Sequence, residues 1–125
     1  MNNPFALVIE DDKDVAELYS RVLESRGFST EITRTGQAAL ERLAVTAPAV
    51  VLLDLSLPPD ISGTDVLRQI RADKRLAETR VIVVTGYPDK AEIVRDEADL
   101  VLLKPVEVGQ LSDVLARLRP RDTSD

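Results

Sequence analysis

Cysteine and histidine are both absent from the 125 residues. The first absence excludes disulfides and thiolate zinc sites, and the second removes the commonest general base and metal ligand. Any metal held by this chain must be held by oxygen. Long apolar runs are missing too: none approaches the roughly 20 residues needed to cross a bilayer, and Met1-Asn2-Asn3-Pro4 has neither the charged nor the apolar region of a signal peptide. A soluble cytoplasmic protein with no membrane contact is the expectation. No cluster of lysine and arginine occurs and the net charge is −6, so direct nucleic-acid binding is not expected, because phosphate contacts need concentrated positive charge. There is no internal repeat and no dividing linker. The length suits one domain that buries about two-thirds of its unfolded surface.

What is present is organised around Ala49-Val50-Val51-Leu52-Leu53-Asp54, an apolar run bounded by Pro48 before it and Pro58-Pro59 after it. So short a run, rich in β-branched residues, reads as a strand buried on both faces, with Asp54 where it leaves the core. Phe5 to Ile9 is an earlier strand ending in Glu10-Asp11-Asp12. From Asp12 to Arg26 the apolar residues Val15, Leu18, Val22 and Leu23 recur at helical spacing, with Asp12 as N-cap and Gly27 as the stop. Phe28 to Thr33 alternates as a second, more exposed strand, and Thr35 caps a helix carrying Ala38, Ala39, Leu40 and Leu43 that is broken before Pro48. A proline-rich loop, Ser56 to Ser62, leads to a helix from Gly63 to about Lys74. Val81 to Val84 is a fourth strand ending at Thr85-Gly86. Between Pro88 and Asp96 there is room only for a short helix, with Ile93 and Val94 as its apolar face. Leu100 to Leu103 is a fifth strand ending at Lys104-Pro105, and Glu107 to Leu118 forms the last helix through Leu111, Val114, Leu115 and Leu118. Strands alternating with helices in this rhythm call for right-handed βαβ units and a parallel sheet covered on both faces.

Parallel strands end at one edge, and ligands of open α/β sheets bind in the crevice beyond it. That edge collects Glu10 and Asp11 from the first strand, Asp54 from the third, Thr85 from the fourth and Lys104 from the fifth. Carboxylates brought together repel, and the remedies are a raised pKa or a bound cation. With hard oxygen ligands only, magnesium (Mg2+) is the natural cation. Lys104 adds a compact positive charge and Thr85 a hydroxyl, a set suited to an anion forming on Asp54. Each group alone has a plainer reading: an N-cap cluster, a turn cap, a β-branched strand residue, a solvated lysine. Their joint occurrence at strand ends is what argues for function.

The pieces Val8-Ile9-Glu10-Asp11-Asp12, Leu53-Asp54-Leu55-Ser56-Leu57-Pro58, Val83-Val84-Thr85-Gly86 and Leu103-Lys104-Pro105 resemble, in order, the receiver domain of two-component response regulators (CheY-like). The resemblance runs from Leu7 to Leu118. It implies a doubly wound (βα)5 fold, flavodoxin/CheY-like, with a five-stranded parallel sheet in the order 2-1-3-4-5. It implies a receiver domain over residues 1–118 and a polar tail over 119–125. It also implies that Asp54 takes a phosphoryl group from a phosphohistidine of a sensor histidine kinase or histidine phosphotransfer protein. Asp11, Asp54, the Ser56 carbonyl and Glu10, the last through water, would hold magnesium, while Thr85 and Lys104 bind the phosphoryl oxygens. Lys104-Pro105 would be cis. The chain would then be no enzyme beyond its own phosphorylation and dephosphorylation. Its output would be a changed surface read by a downstream protein target or by an effector domain missing from the sequence, with a homodimer as a further option. Tyr87, two after Thr85, would either decorate the surface or screen the site from water.

Three departures from the family pattern stand out. The loop after Asp54 is one residue longer, the Thr85–Lys104 segment is about one helical turn shorter, and Val101 stands where an aromatic is usual. The longer loop leaves the site intact, while the short helix and Val101 support an alternative, a pseudo-receiver: a protein-interaction module with no phosphoryl cycle. A small phosphohydrolase is disfavoured by Ser56, which stands where a second aspartate would be needed. A flavin-nucleotide binder is disfavoured by the lack of a phosphate-cradling loop after the first strand.

Overall fold

In the computed structural model, which describes residues 3–118, the elements alternate as the hydrophobic pattern requires. They are β1 (Phe5–Ile9), α1 (Lys13–Ser25), β2 (Ser29–Thr33), α2 (Gly36–Leu43), β3 (Val50–Asp54), α3 (Gly63–Ala72), β4 (Arg80–Thr85), α4 (Pro88–Val94), β5 (Leu100–Leu103) and α5 (Val108–Leu118). All pairings are parallel and the sheet order is β2-β1-β3-β4-β5. The expected polar tail, 119–125, lies outside the described residues.

Side-chain alternation along the strands divides the core in two. Ala6, Val8, Val50, Leu52, Ile82 and Val84 face α1 and α5. Leu7, Ile9, Val51, Leu53, Val81 and Val83 face α2, α3 and α4. Every residue of β3 is buried, as an unbroken apolar run demands of a central parallel strand. The stops follow local chemistry. The Asp12 side chain accepts from the Asp14 and Val15 amides to start α1. At the other end Gly27 adopts φ 93°, and its N–H and that of Phe28 reach the Glu24 and Leu23 carbonyls, the paired closure that glycine permits. A reciprocal Ser62–Asp65 capping box starts α3.

Packing moves several positions from where the sequence puts them. Leu18, expected on the inner face of α1, is 42% exposed, and Tyr19 is buried in its place. The buried residues of α1 are Ala16, Tyr19, Ser20, Val22 and Leu23, so Val22 and Leu23 hold their expected places, and Val15 packs partly buried against the core. On α4 the inner residues are Ala91 and Val94, while Ile93 is 65% exposed, because a helix of only two turns docks through one i, i+3 pair. Helix α3 ends at Ala72 rather than near Lys74: Asp73 turns extended and its carboxylate caps a single 3-10 turn at Lys74–Leu76. The strand expected over Val81–Val84 extends to Arg80–Thr85. Among the described residues no helix is long and apolar enough to cross a membrane.

Candidate functional site

The register of the sheet sets the site. Ile9 pairs with Leu53, Asp54 with Val84 and Thr85 with Leu103. Glu10 and Asp54 therefore leave neighbouring strands at one level, with Thr85 one residue and Lys104 two residues further along the same edge. Glu10 is 1% exposed, Asp54 3% and Thr85 fully buried. Lys104 reaches across from the end of β5, and its Nζ donates to Asp54 Oδ2 at 2.9 Å and lies 3.6 Å from Glu10 Oε1. The Ser56 amide donates to Asp54 Oδ1 at 2.8 Å, so both acceptor oxygens of Asp54 are oriented. Thr85 Oγ1 accepts from the Tyr87 amide at 3.2 Å, while the Thr85 carbonyl accepts from the Lys104 amide at 2.9 Å. Lys104-Pro105 is cis. Of the residues singled out in the sequence, Glu10, Asp11, Asp54, Thr85 and Lys104 converge; Ser56 contributes backbone, and its side chain is exposed.

Oxygen atoms of Glu10, Asp11 and Asp54 lie within 4.8 Å of one another, with Asp11 the most exposed of the three. One lysine does not balance three carboxylates. Burial, aided by the Asp54 carboxylate beside it, pushes the Glu10 carboxyl up to about 8, against the opposing pull of the Asp12 amide and Lys104. Burial pulls the Lys104 ammonium down, yet its bond to Asp54 and the charges of Asp54 and Glu10 outweigh this and raise it. Glu10 Oε1 is buried with no hydrogen-bond partner. An orphaned buried carboxylate oxygen in an all-oxygen trio fits a hard divalent cation of the magnesium type.

Three contributors were not legible in the sequence. Tyr19 of α1 lies near the trio: burial raises its phenol, Lys104 lowers it, and Glu10 and Asp54 raise it further. Gly63 was visible only as a helix start, yet a Cβ there would lie 2.6 Å from Leu55 Cα and 2.7 Å from the Asp54 carbonyl oxygen. The first turn of α3 thus rests directly on the acceptor peptide. Arg34, after β2, donates from Nε and Nη2 to the Asp11 carbonyl at 3.1 and 2.9 Å. A contact 23 residues long leaves no local sequence signal.

The fold and its charged strand-end crevice define the doubly wound, flavodoxin-like class with its pocket at the carboxyl edge of the sheet. A family model described as the response regulator receiver domain matches residues 6–116, and the chain belongs to that family. It is 36% identical over 120 residues to the DNA-binding response regulator MtrA of Mycobacterium tuberculosis, covering 93% of this chain and 51% of the relative. The chain thus spans about half the length of that relative. Among solved structures it is similar to a CheY-like receiver domain from Methylobacillus flagellatus, with a TM-score of 0.83 at 26% identity, covering 94% of this chain and 100% of that one. It is likewise similar to the response regulator TrrA of Thermotoga maritima, solved in complex with Mg2+ and BeF, with a TM-score of 0.80 at 25% identity, covering 94% and 99%. This is a receiver domain of two-component signalling, a signalling domain rather than a conventional enzyme. The expectation that it makes no direct nucleic-acid contact gains no support from a relative named for binding DNA.

Proposed function

We propose that the chain accepts a phosphoryl group on Asp54 from a phosphohistidine of a sensor histidine kinase or a phosphotransfer protein. The observation that carries this is the Lys104 ammonium bonded to the buried Asp54 carboxylate beside the orphaned oxygen of Glu10. An Asp54 carboxylate oxygen attacks phosphorus and a P–O bond forms. The P–N bond breaks, and its electron pair stays on the imidazole nitrogen, which takes up a proton. Lys104 then moves its charge from the free carboxylate to the phosphoryl oxygens, and the Thr85 hydroxyl donates to them. The Ser56 amide holds the acceptor in place. Glu10, Asp11 and Asp54, with the Ser56 carbonyl, would hold magnesium, which supplies neutralising charge to the transferring group. TrrA, solved with Mg2+ and BeF, supports that assignment.

Because Thr85 Oγ1 also accepts from the Tyr87 amide, drawing Thr85 toward a phosphoryl group carries the start of α4 with it. The altered surface addresses a downstream protein, a second copy or an effector domain, with the domain spanning 1–118 and acting in the cytoplasm. Intact-protein mass spectrometry after incubation with a small-molecule phosphodonor tests the chemistry. A single adduct that needs magnesium and is lost in Asp54→Asn is expected. No adduct with any donor overturns it in favour of the pseudo-receiver reading, which the two-turn α4 and Val101 would then support.

A further inference from the structure

The trio of carboxylates needs its most exposed member, Asp11, to stay in place, and among the described residues no hydrogen bond holds the Asp11 carboxylate itself. What is held is its backbone. The Glu10 amide donates to the Thr33 carbonyl at 3.1 Å, the Asp12 amide donates to Glu10 Oε2 at 3.2 Å, and the peptide between them receives both Arg34 donors on the Asp11 carbonyl. Arg34 is itself anchored between Thr33, paired to β1, and Thr35, whose hydroxyl caps α2 through the Ala38 amide at 3.0 Å. The guanidinium takes the carbonyl while forming no ion pair among the described residues, so the carboxylate of the residue it grips is left free.

We propose that Arg34 is a positioning residue for the metal site: its rigid fork fixes the Asp11 peptide and so keeps the Asp11 carboxylate in the trio. This rests on the magnesium reading above. Charge and position predict opposite signs here. A cationic side chain near a cation site weakens cation binding, so its removal would tighten the site; a side chain that positions a ligand does the reverse. Lysine keeps the charge but has a flexible stem and no planar fork.

Calorimetric titration of magnesium into the parent, Arg34→Ala and Arg34→Lys separates these. Both variants should bind roughly tenfold more weakly than the parent, the scale on which groups that orient metal ligands act. Both should also exchange the Asp12 amide hydrogen faster in the metal-free protein. Unchanged or tighter binding in Arg34→Ala, or parental affinity in Arg34→Lys, overturns the positioning role. A parent that takes up no magnesium overturns the metal reading and the proposal with it, an outcome distinct from parental binding that the variants retain.

Discussion

Mixed charges gather at both ends of the sheet, and the two clusters are built on opposite principles. At the amino end, Arg71 donates Nε to the Glu97 carbonyl at 2.6 Å, Nη1 to the Thr79 carbonyl at 3.1 Å and Nη2 to Asp99 at 2.8 Å. Asp99 accepts in addition from the Val81 amide at 2.7 Å and pairs with Arg80 at 3.4 Å. At the carboxyl end three carboxylates gather, one lysine pairs with two of them, Glu10 and Asp54, and a buried Glu10 oxygen is left without a hydrogen bond. Satisfied charge at one end ties α3, β4 and the chain before β5 into one body. Unsatisfied charge at the other is what a ligand can answer.

Protons should break the comparison most visibly. Glu10 sits at about 8 in the fold against 4.5 as a free side chain, so between those values the folded state binds more protons than the unfolded one. The Glu10 contribution to stability is then full below pH 4.5 and is lost as pH rises toward 8, with a slope approaching about 1.4 kcal/mol per pH unit. Denaturant unfolding of metal-free parent and Glu10→Gln at several pH values measures this. The parent should show the slope and the variant should lack it; equal slopes would remove Glu10 as its source. At the other end, Arg71→Ala takes the guanidinium from two carbonyls and leaves Asp99 with only the Val81 amide and Arg80. A loss of about 2–3 kcal/mol is expected by the same unfolding assay, with magnesium affinity unchanged. A shift in affinity would mean that the two ends are coupled. The smallest effect belongs to Leu18→Ser on the outer side of α1, expected within about 0.5 kcal/mol of the parent; a loss near that of a core leucine would contradict its exposure.

These contrasts also mark what a sequence can disclose. Four strands were legible as short apolar runs and β2 by its alternation, and the candidate site because its charges lie at the ends of the apolar runs, where strand parity and parallel pairing do the placing. Tyr19 and Leu18 exchange roles because either fits a helical stripe with Val22 and Leu23, which are buried as expected. Only the crossing of α1 over the sheet decides between them. Ile93 was misplaced for a related reason, since two helical turns carry too little periodicity to fix a face. Arg34 and Arg71 act on groups 23 and 28 residues away. No local pattern distinguishes such arginines from those that merely face solvent.

The seating of α3 on the acceptor strand has its own consequence for how the chain tolerates extra length. Gly63 rests on the Asp54–Leu55 backbone, and a Cβ at Gly36, the first residue of α2, would lie 2.5 Å from the Ile61 carbonyl oxygen. Leu57 and Ile61 both pack against the core beneath. The connecting loop is thereby pinned near both ends, and an added residue can be accommodated only between those pins. There the chain passes through Pro58, Pro59 and Asp60, and Asp60 is the one non-glycine among the described residues with positive φ, at 93°. Insertions in this stretch are confined to an outward kink of three residues, which spares the peptide that presents Asp54.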